Sequence, residues 1–311
     1  MKHYDVIVVG GGVAGMCAAE RSANHGLSTL LLEGLYTGGR AVKVKKVEDY
    51  PGFPEGISGE ALTDLMEKAV LASDAKILHE KVESFDLEGD LKYIYTNKDE
   101  YSAKAVILAL GMRLREMGLH NERSLSKMGV FHSAKEESDH VRGKIAAVFG
   151  QGNVAAKEAL ALAEKASEIY LICPATEVGA SKKYMDAIRK EPKITVILKT
   201  LIAEMEEDLF CLSNITILHR ETTEFRRIPC HAVFVAPTPE PDSDVLLGTV
   251  RMTDDGAVIT DEKMHTSIEG VFAAGAVREG NNYTALASAS EGQKAADAAN
   301  NYIERKPSFI I

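Results

Sequence analysis

Three glycines near the amino terminus have the spacing of a dinucleotide-binding turn. In DVIVVGGGVAGMCAAERSANHGLSTLLLEG, Gly10, Gly12 and Gly15 form G-x-G-x-x-G, and Glu33 follows Gly10 by 23 positions. In this pattern the first glycine permits a tight turn and the second lets the backbone approach a pyrophosphate. The third lets a helix pack closely on a strand. An acid placed like Glu33 accepts hydrogen bonds from a ribose diol.

A second copy of this pattern begins in mid-chain. Gly150, Gly152 and Ala155 form G-x-G-x-x-A within KIAAVFGQGNVAAKEAL. At the offset of Glu33 the second copy has Cys173, so it lacks the acid that binds a ribose diol. No basic residue follows directly, and the sequence therefore predicts a second nucleotide-binding fold without a strong preference for NADPH over NADH.

Each glycine pattern is flanked by segments that predict a strand, a helix and a second strand. Continuous apolar runs are typical of buried parallel strands, and a helix that follows the turn presents its amino-terminal N–H groups to phosphates. Val13 and Ala14 lie just before the first predicted helix, and Asn153 and Val154 lie at the start of the second, so all four are candidate nucleotide-binding residues. The predicted strand, helix and strand are residues 6–9, 16–24 and 28–32 in the first copy and 144–149, 154–165 and 169–173 in the second.

Composition narrows the class of protein. The 311 residues suggest about two domains. With 36 Lys and Arg against 46 Asp and Glu, the net charge of −10 argues against nucleic acid or an anionic membrane as partners. No apolar run reaches the ~20 residues of a membrane span, and we expect a cytoplasmic protein. The four cysteines form no CxxC pair, zinc ligand set or disulfide framework, so we expect free thiols and no metal.

Further segments carry a family resemblance. The chain contains the Gly38–Gly39 pair, VEDYPGF at 47–53, VILALG at 106–111, TSIEGVFAAGAV at 266–277 and SASEGQKAA at 288–296. With the two glycine patterns, the sequence resembles the low-molecular-weight thioredoxin reductases of the pyridine nucleotide-disulphide oxidoreductase superfamily over nearly its whole length. The resemblance implies FAD, a pyridine nucleotide and a homodimer. It also implies an α/β fold of two Rossmann-like domains, the second inserted into the first.

The resemblance also assigns domains and site residues. Residues 1–114 and 240–311 would bind FAD, and residues 115–239 would form the NAD(P)-binding-like domain. The adenosine and pyrophosphate part of FAD would lie on the first glycine turn and Glu33. The rest of the FAD site would comprise Gly38, Gly39, Arg40, Asp49, Ala109, Gly111, Gly275, Ala276, Thr284 and Ala285. The second nucleotide would lie on Gly150, Gly152, Asn153 and Val154.

The sequence departs from the family where its redox-active CxxC stands. The matching residues are SAKE at 133–136, and no cysteine lies between Cys17 and Cys173. A hydroxyl and a carboxylate cannot attack a disulfide. This segment therefore indicates a dithiol site without its thiols, the alternative being an ordinary polar loop or helix cap. We name no catalytic residue.

Other departures affect both cofactors. The family's His-Arg-Arg run, which holds the 2′-phosphate of NADPH, is Cys-Pro-Ala at 173–175, and its flavin-binding Asp is Ala276. Each lost contact is worth ~1 kcal/mol or more. The pyrophosphate and ribose anchors remain, so we expect FAD to be retained, while NADH, NADPH or neither is left open for the second site.

Arg40, Lys43, Lys45 and Lys46 form a basic cluster in an acidic chain. Such a cluster can attract an acidic electron carrier such as a ferredoxin, or it is only a solvated strand face. The sequence thus predicts an FAD-dependent oxidoreductase without a redox-active dithiol. It would pass electrons between a pyridine nucleotide or protein carrier and an unknown acceptor. The alternative is a non-catalytic dinucleotide-binding scaffold or sensor.

Overall fold

The computed structural model of the protein describes residues 1–114, 117–209, 211–236 and 239–305, without the side chains of Leu114, Lys135 and Glu136. The chain divides into two compact units, Met1–Arg113 with Glu240–Ile311 and Leu114–Pro239. The sequence predicts domain boundaries near 112–117 and near the proline-rich stretch 237–244, and residues 115, 116, 237 and 238 of these stretches lie outside the described residues.

The strands are numbered in chain order. Those of the described residues are β1 (Lys2–Val9), β2 (Thr29–Glu33), β3 (Lys76–His79), β4 (Val82–Asp86), β5 (Lys92–Thr96), β6 (Glu100–Leu108), β7 (Met112–Leu114), β8 (Val130–Phe131), β9 (Ile145–Gly150), β10 (Glu168–Ile172), β11 (Ile194–Ile197), β12 (Thr200–Asp208), β13 (Cys211–His219), β14 (Phe225–Pro229), β15 (Ala232–Ala236), β16 (Pro239–Pro241) and β17 (Val271–Ala273).

The helices are α1 (Val13–Asn24), α2 (Gly59–Ala72), α3 (Ala134–Glu137), α4 (Gly152–Ala163), α5 (Lys182–Lys190) and α6 (Ala285–Arg305). Helices α1 and α4 begin two or three residues earlier than the sequence predicted. The reason is that each helix begins at its glycine turn, without the side-chain cap that marks a helix start in a sequence.

The first unit is built on a seven-stranded sheet. Six of its strands have the order β3-β2-β1-β6-β5-β4, and the seventh, β17, pairs with β6. β1 pairs in parallel with β2 and β6. Along β6, β5 pairs antiparallel with residues 100–103 and β17 pairs in parallel with residues 106–108. Since β17 follows the second unit in the chain, both ends of the chain contribute to this sheet.

The central strand β1 is buried on both faces. Val6 and Val8 belong to the apolar cluster that contains residues of α1 and α6, whereas Ile7 and Val9 belong to the cluster on the other face. Successive side chains of a strand point to opposite faces, so a strand covered on both sides needs an unbroken apolar run. This explains why the strand was evident in the sequence.

The second unit contains a five-stranded parallel sheet with the order β11-β10-β9-β15-β8 and an antiparallel sheet with the order β12-β13-β14. β9, α4 and β10 repeat the strand–helix–strand arrangement of β1, α1 and β2. Among the described residues, no helix is long and apolar enough to cross a membrane.

Candidate functional site

Two glycines of the first turn are required by the fold. Gly10 has φ +105°, and a Cβ atom added to it would lie 2.3 Å from the carbonyl oxygen of Ala109. A Cβ atom on Gly15 would lie 1.8 Å from the carbonyl oxygen of Gly10. The turn, the end of β6 and the first turn of α1 are therefore in direct contact, and a larger residue at either glycine displaces backbone.

Gly12 differs from its neighbours because nothing in the fold requires a glycine there. Its φ of −73° and ψ of −175° suit any residue, and no heavy atom of the described residues lies within 4 Å of an added Cβ atom. Gly12 is the N-cap of α1, whose first turn has neither a side-chain cap nor an acidic residue. Open space in front of an uncapped helix amino terminus is suited to a phosphate group.

Glu33 lies at the end of β2, beside this open space. Its Oε2 accepts a hydrogen bond of 2.7 Å from the N–H of Gly11, and its Oε1 accepts one of 2.9 Å from the N–H of Leu35. Each carboxylate oxygen has two lone pairs. The two backbone bonds therefore orient Glu33 and still leave acceptor capacity for the hydroxyls of a ribose.

Gly38 and Gly39 connect the next segment to the same turn. The N–H of Gly38 donates to the carbonyl of Gly11 at 2.7 Å, and a Cβ atom added to Gly39 would lie 3.4 Å from the Cα of Gly12. The short 3-10 segment Gly39–Lys43 is thereby held against the glycine turn. The structure thus brings together three sets of predicted site residues: the turn, Glu33 and this glycine pair.

The carboxyl-terminal segment also reaches α1. Gly275 has φ +78°, and an added Cβ atom would lie 2.7 Å from the Cβ of Ala14. Ala285 packs on the apolar cluster of Val13 and Cys17. Thr284 Oγ1 accepts a hydrogen bond of 3.1 Å from the N–H of Ala287 in the first turn of α6.

Two predicted residues lie at the far end of β6. The N–H of Ala109 donates to the carbonyl of Val9 at 2.8 Å, which fixes the strand end beside the glycine turn. Gly111 has φ +73°, and its carbonyl accepts a hydrogen bond of 3.0 Å from the N–H of Asp242. Gly111 therefore lies where the chain leaves the first unit.

Three other residues predicted for the FAD site, Arg40, Asp49 and Ala276, make no described hydrogen bond to the glycine turn or to Glu33. Arg40 and Asp49 are exposed, and within the described part of the chain neither makes a hydrogen bond or an ion pair. Ala276 is half-buried and offers no polar side chain. The contacts of the first unit thus define the adenosine and pyrophosphate end of a dinucleotide site better than its other end.

A buried polar cluster beside Gly275 was not predicted from the sequence. Glu291 Oε2 accepts hydrogen bonds from the N–H of Gly275 at 2.9 Å and from Asn281 Nδ2 at 2.8 Å, and its Oε1 accepts one from Arg278 at 2.7 Å. The side chains of Arg278 and Glu291 are only 15% and 10% exposed. The Nε of Arg278 is buried and has no hydrogen-bond partner among the residues that the structure describes. No sequence pattern pairs residues across the start of α6, so only the glutamate within SASEGQKAA could have drawn notice.

The second glycine turn has a different hydrogen-bond pattern. A Cβ atom on Gly150 would lie 2.1 Å from the carbonyl oxygen of Ala236, which shows the same close packing as Gly10. The N–H of Gly152, however, donates to the carbonyl of Val178 at 2.6 Å. One of the N–H groups at this turn is therefore occupied by the chain itself.

The other predicted residues of the second unit differ in their surroundings: one makes a hydrogen bond within the chain, one is exposed and one is buried. Asn153 Oδ1 accepts a hydrogen bond of 2.7 Å from the N–H of Ser181, so this side chain holds the start of α5. Val154 is 56% exposed at the first turn of α4. Cys173 is fully buried, and its Sγ donates to the carbonyl of Glu177 at 3.3 Å. The position of Glu33 in the first unit thus has an inward-facing thiol in the second.

The polar segment before β9 forms a helix start. Ser133 is the N-cap of α3, and the Oε2 of Glu137 accepts hydrogen bonds from the N–H groups of His132 and Ser133 at 3.2 and 3.4 Å. Glu158 accepts a hydrogen bond from the N–H of Ala134. Carboxylates of the chain thus accept hydrogen bonds from the first N–H group of α3 and from the two N–H groups just before it. His132 is exposed, as expected of an ordinary surface histidine.

The cysteines are all unpaired, and three of them are buried. Burial raises the pKa of the Cys17 and Cys230 thiols to about 12 and also raises the pKa of Cys173. Buried thiols with raised pKa values remain protonated at neutral pH and are poor nucleophiles. Cys211 is exposed at the start of β13. Among the described residues, no group of three His, Cys, Asp or Glu side chains could hold a metal ion.

The chain is similar to known proteins over almost its entire length. It is 34% identical over 301 residues to a thioredoxin reductase of Mycolicibacterium smegmatis, covering 96% of each chain. The structure matches Lactococcus lactis thioredoxin reductase with a TM-score of 0.74 and 27% identity, covering 97% of this chain and 100% of that one. It also matches a ferredoxin-flavin thioredoxin reductase of Clostridium acetobutylicum with a TM-score of 0.55 and 25% identity, covering 98% and 100%.

These likenesses confirm the predicted α/β fold with Rossmann-like dinucleotide-binding domains. Thioredoxin reductases are flavoprotein oxidoreductases that use FAD and NADPH, and they are typically homodimers. Residues 4–296 match the family described as pyridine nucleotide-disulphide oxidoreductase. The chain therefore belongs to the pyridine nucleotide-disulphide oxidoreductase family.

Proposed function

We propose that this protein is an FAD-dependent oxidoreductase that transfers electrons through its flavin without a redox-active dithiol. The first unit binds FAD and the second unit receives a pyridine nucleotide. We further propose a cytoplasmic homodimer, as in the thioredoxin reductases it resembles.

The observation that carries this proposal is the empty space at Gly12. Gly10 and Gly15 are glycines because the backbone around them is crowded, but Gly12 has an ordinary conformation and no neighbour within 4 Å of an added Cβ atom. The packing of the chain therefore gives no reason for a glycine at the uncapped start of α1. A ligand that approaches the backbone closely would explain it. The diphosphate of a dinucleotide suits that position.

The residues of the first unit fit FAD at its adenosine and pyrophosphate end. Gly12, Val13 and Ala14 would offer helix N–H groups to the phosphates, and Glu33 would accept hydrogen bonds from the ribose. Gly275 and Ala285 would close the site where they contact α1. When bound, FAD supplies the ability to accept and release two electrons, which none of the protein's side chains supplies.

The proposed lack of a dithiol is supported by the residues before β9. Ser133 stands at the start of α3, no cysteine occurs between Cys17 and Cys173, and three of the four thiols are buried. Thiol–disulfide exchange needs an accessible thiolate and a second thiol that resolves the mixed disulfide. Since the chain offers no such pair, the electrons must pass directly between the flavin and the external partners.

Two electron donors are compatible with this function, a pyridine nucleotide and an acidic carrier protein. The exposed side chains of Arg40, Lys43 and Lys46 lie on or just after the 3-10 segment that contacts the first glycine turn. A basic patch there would speed the encounter with an acidic carrier such as a ferredoxin, and the rate would fall as salt rises. The likeness to a ferredoxin-flavin thioredoxin reductase supports this second donor.

The test is a flavin assay of the purified protein. We expect a yellow sample with close to one FAD per chain and bleaching of the flavin absorbance on anaerobic addition of NADH, NADPH or a reduced ferredoxin. A colourless protein that does not bind added FAD would contradict the proposal.

A second candidate is a non-catalytic dinucleotide-binding scaffold. The hydrogen bond from the N–H of Gly152 to Val178 and the buried Cys173 favour it, because both reduce what the second unit can offer a nucleotide. FAD that binds in stoichiometric amount but is reduced by none of the three donors would favour this candidate over the enzyme.

A further inference from the structure

The residues after β10 lie where a Rossmann fold distinguishes NADPH from NADH. In such folds the side chain near the end of the second strand meets the ribose 2′ position, where an acid suits a hydroxyl and an arginine suits a phosphate. Cys173, Pro174 and Ala175 occupy this place in the second unit, and none of them can perform either role. Any residue that recognises this group must come from another part of the chain.

Lys199, Thr200 and Arg220, which lie near the ends of β11, β12 and β13, form a corner that packs against residues 173–175. The N–H of Lys199 donates to the carbonyl of Ala175 at 2.9 Å, and the N–H of Thr200 donates to the carbonyl of Cys173 at 3.0 Å. The N–H of Arg220 in turn donates to the carbonyl of Lys199 at 2.8 Å. Arg220 immediately follows β13, so the antiparallel sheet places it beside the end of β10.

The guanidinium of Arg220 is held at this corner. Its Nη1 donates to the carbonyl of Pro174 at 3.2 Å, and the residue is exposed. In the described part of the chain it has no acidic partner. The neighbouring cation Lys199, by contrast, is neutralised by both carboxylate oxygens of Glu221, at 2.8 and 2.9 Å. Arg220 therefore offers an unneutralised positive charge to solvent beside Pro174.

A cleft beside this corner can accept the rest of an adenosine. It has a volume of about 710 Å³, and Leu198 of its lining precedes Lys199. The lining combines apolar residues such as Val178, Met185 and Val196 with three charged ones, Glu177, Arg189 and Glu191. The apolar part of this cleft is suited to an adenine base, and Leu198 connects it along the chain to the corner that carries Arg220.

We propose that Arg220 is a specificity-determining residue that binds the 2′-phosphate of a phosphorylated pyridine nucleotide in the second unit. The proposal rests on the pyridine-nucleotide role proposed for that unit. A guanidinium held by its own hydrogen bond to Pro174 loses little further freedom on binding, and charge-assisted hydrogen bonds to phosphate are among the strong ones. Arg220, which follows β13, thus binds the 2′-phosphate in place of arginines directly after β10.

The expected preference for a 2′-phosphorylated nucleotide is modest, because a single exposed cation provides it. One such contact corresponds to a preference of about tenfold, which is about 1.4 kcal/mol. The preference should stay below about a hundredfold, since no second unneutralised cation is held at this corner by a described hydrogen bond. The other basic residues near this region differ in placement. Arg189 lines the cleft but is paired with Asp186 at 3.1 Å. Lys182 and Lys183 are on α5 without a hydrogen bond to residues 173–175.

The experiment measures the binding of 2′,5′-ADP and 5′-AMP, which differ only in the 2′-phosphate, to the FAD-loaded protein by isothermal titration calorimetry. The variants are Arg220→Ala, Arg220→Lys, Arg189→Ala and, as the matched control, Arg226→Ala. Arg226 is an exposed arginine of β14 that makes no hydrogen bond to residues 173–175. We expect the wild type to prefer 2′,5′-ADP to 5′-AMP about tenfold and Arg220→Ala to bind both ligands equally, with its affinity for 5′-AMP unchanged. Arg220→Lys should keep part of the preference, and the other two variants all of it.

The inference is overturned if the wild type shows no preference, if it binds neither ligand, or if Arg220→Ala keeps the preference. It is also overturned if Arg189→Ala is the variant that loses it. Flavin bleaching by NADH and by NADPH distinguishes a failure of this inference from a failure of the proposed function. Bleaching without a 2′-phosphate preference leaves the oxidoreductase intact and removes only the role of Arg220. Absence of bleaching by either nucleotide removes the pyridine-nucleotide role itself.

Discussion

Glu291 and Arg278 form an ion pair of 2.7 Å between helix α6 and the segment that follows Gly275. The second oxygen of Glu291 holds the N–H of Gly275 and the amide of Asn281. One carboxylate thus ties the turn at Gly275, which contacts the start of α1, to a helix that packs on α1. The geometry of the proposed FAD site at this turn therefore depends on a residue that need not touch FAD.

The first prediction concerns this carboxylate. Glu291→Gln should lower the free energy of unfolding by about 3 kcal/mol, because it leaves the buried guanidinium of Arg278 without its counter-charge. FAD should also dissociate more readily, since the turn at Gly275 loses its anchor. Urea unfolding and the fraction of FAD retained on gel filtration measure the two effects.

The control for this prediction is Glu304→Gln, which alters an exposed glutamate on the same helix. It should change the free energy of unfolding by no more than about 0.5 kcal/mol. Equal effects of the two substitutions would show that the Arg278–Glu291 pair has no special role.

The second prediction separates ligand binding from folding at the first turn. Gly12→Val should leave the melting temperature of the FAD-free protein nearly unchanged, because the site is open and its φ of −73° suits valine. The same change should abolish FAD binding, because the side chain fills the space of the pyrophosphate. Gly15→Ala should instead destabilise the protein, since its Cβ atom would lie 1.8 Å from the carbonyl oxygen of Gly10. Retention of stoichiometric FAD by Gly12→Val would place the cofactor elsewhere.

The sequence predicted the fold well where single segments determine it. The apolar run of β1, the glycine turns and Glu33 are local signals, and each element lies within a few residues of its predicted place. The Glu291–Arg278 pair and the placement of Arg220 beside Pro174 were out of reach. The first joins residues 13 positions apart around the start of α6, and the second joins residues 46 positions apart through the packing of strands. No spacing rule describes either contact. The sequence therefore indicated the type of site but not the residues that support it.

The third prediction concerns thiol reactivity. Cys211 is the exposed cysteine among the four, whereas burial raises the pKa of Cys17 and Cys230 to about 12. At pH 8 we expect one thiol per chain to react rapidly with Ellman's reagent and four to react after denaturation. Cys211→Ser should remove the rapid phase. A rapid phase of two or more thiols in the native protein would contradict this burial.

The raised thiol pKa values also predict how stability depends on pH. An unfolded cysteine titrates near pH 8.5, so above that pH the unfolded chain binds fewer protons than the native one. Stability must then fall as pH rises from about 8.5 towards about 12, by at most about 1.4 kcal/mol per pH unit for each thiol. Urea unfolding at pH 8 and pH 10 should show a smaller fall for the Cys17→Ala, Cys230→Ala double variant than for the wild type.

The last prediction concerns disulfide chemistry. We expect no NAD(P)H-dependent reduction of thioredoxin, because the chain has no cysteine pair at 133–136 and its buried thiols remain protonated. A variant with alanine at the three buried cysteines and serine at Cys211 should keep most of its flavin turnover with ferricyanide. The three alanine substitutions should each cost about 1 kcal/mol of stability, so circular dichroism and FAD content must accompany the assay.

A fall of more than about tenfold in turnover, with FAD bound and the fold unchanged, would mean that a cysteine takes part in electron transfer. Single restorations of each cysteine would then identify it.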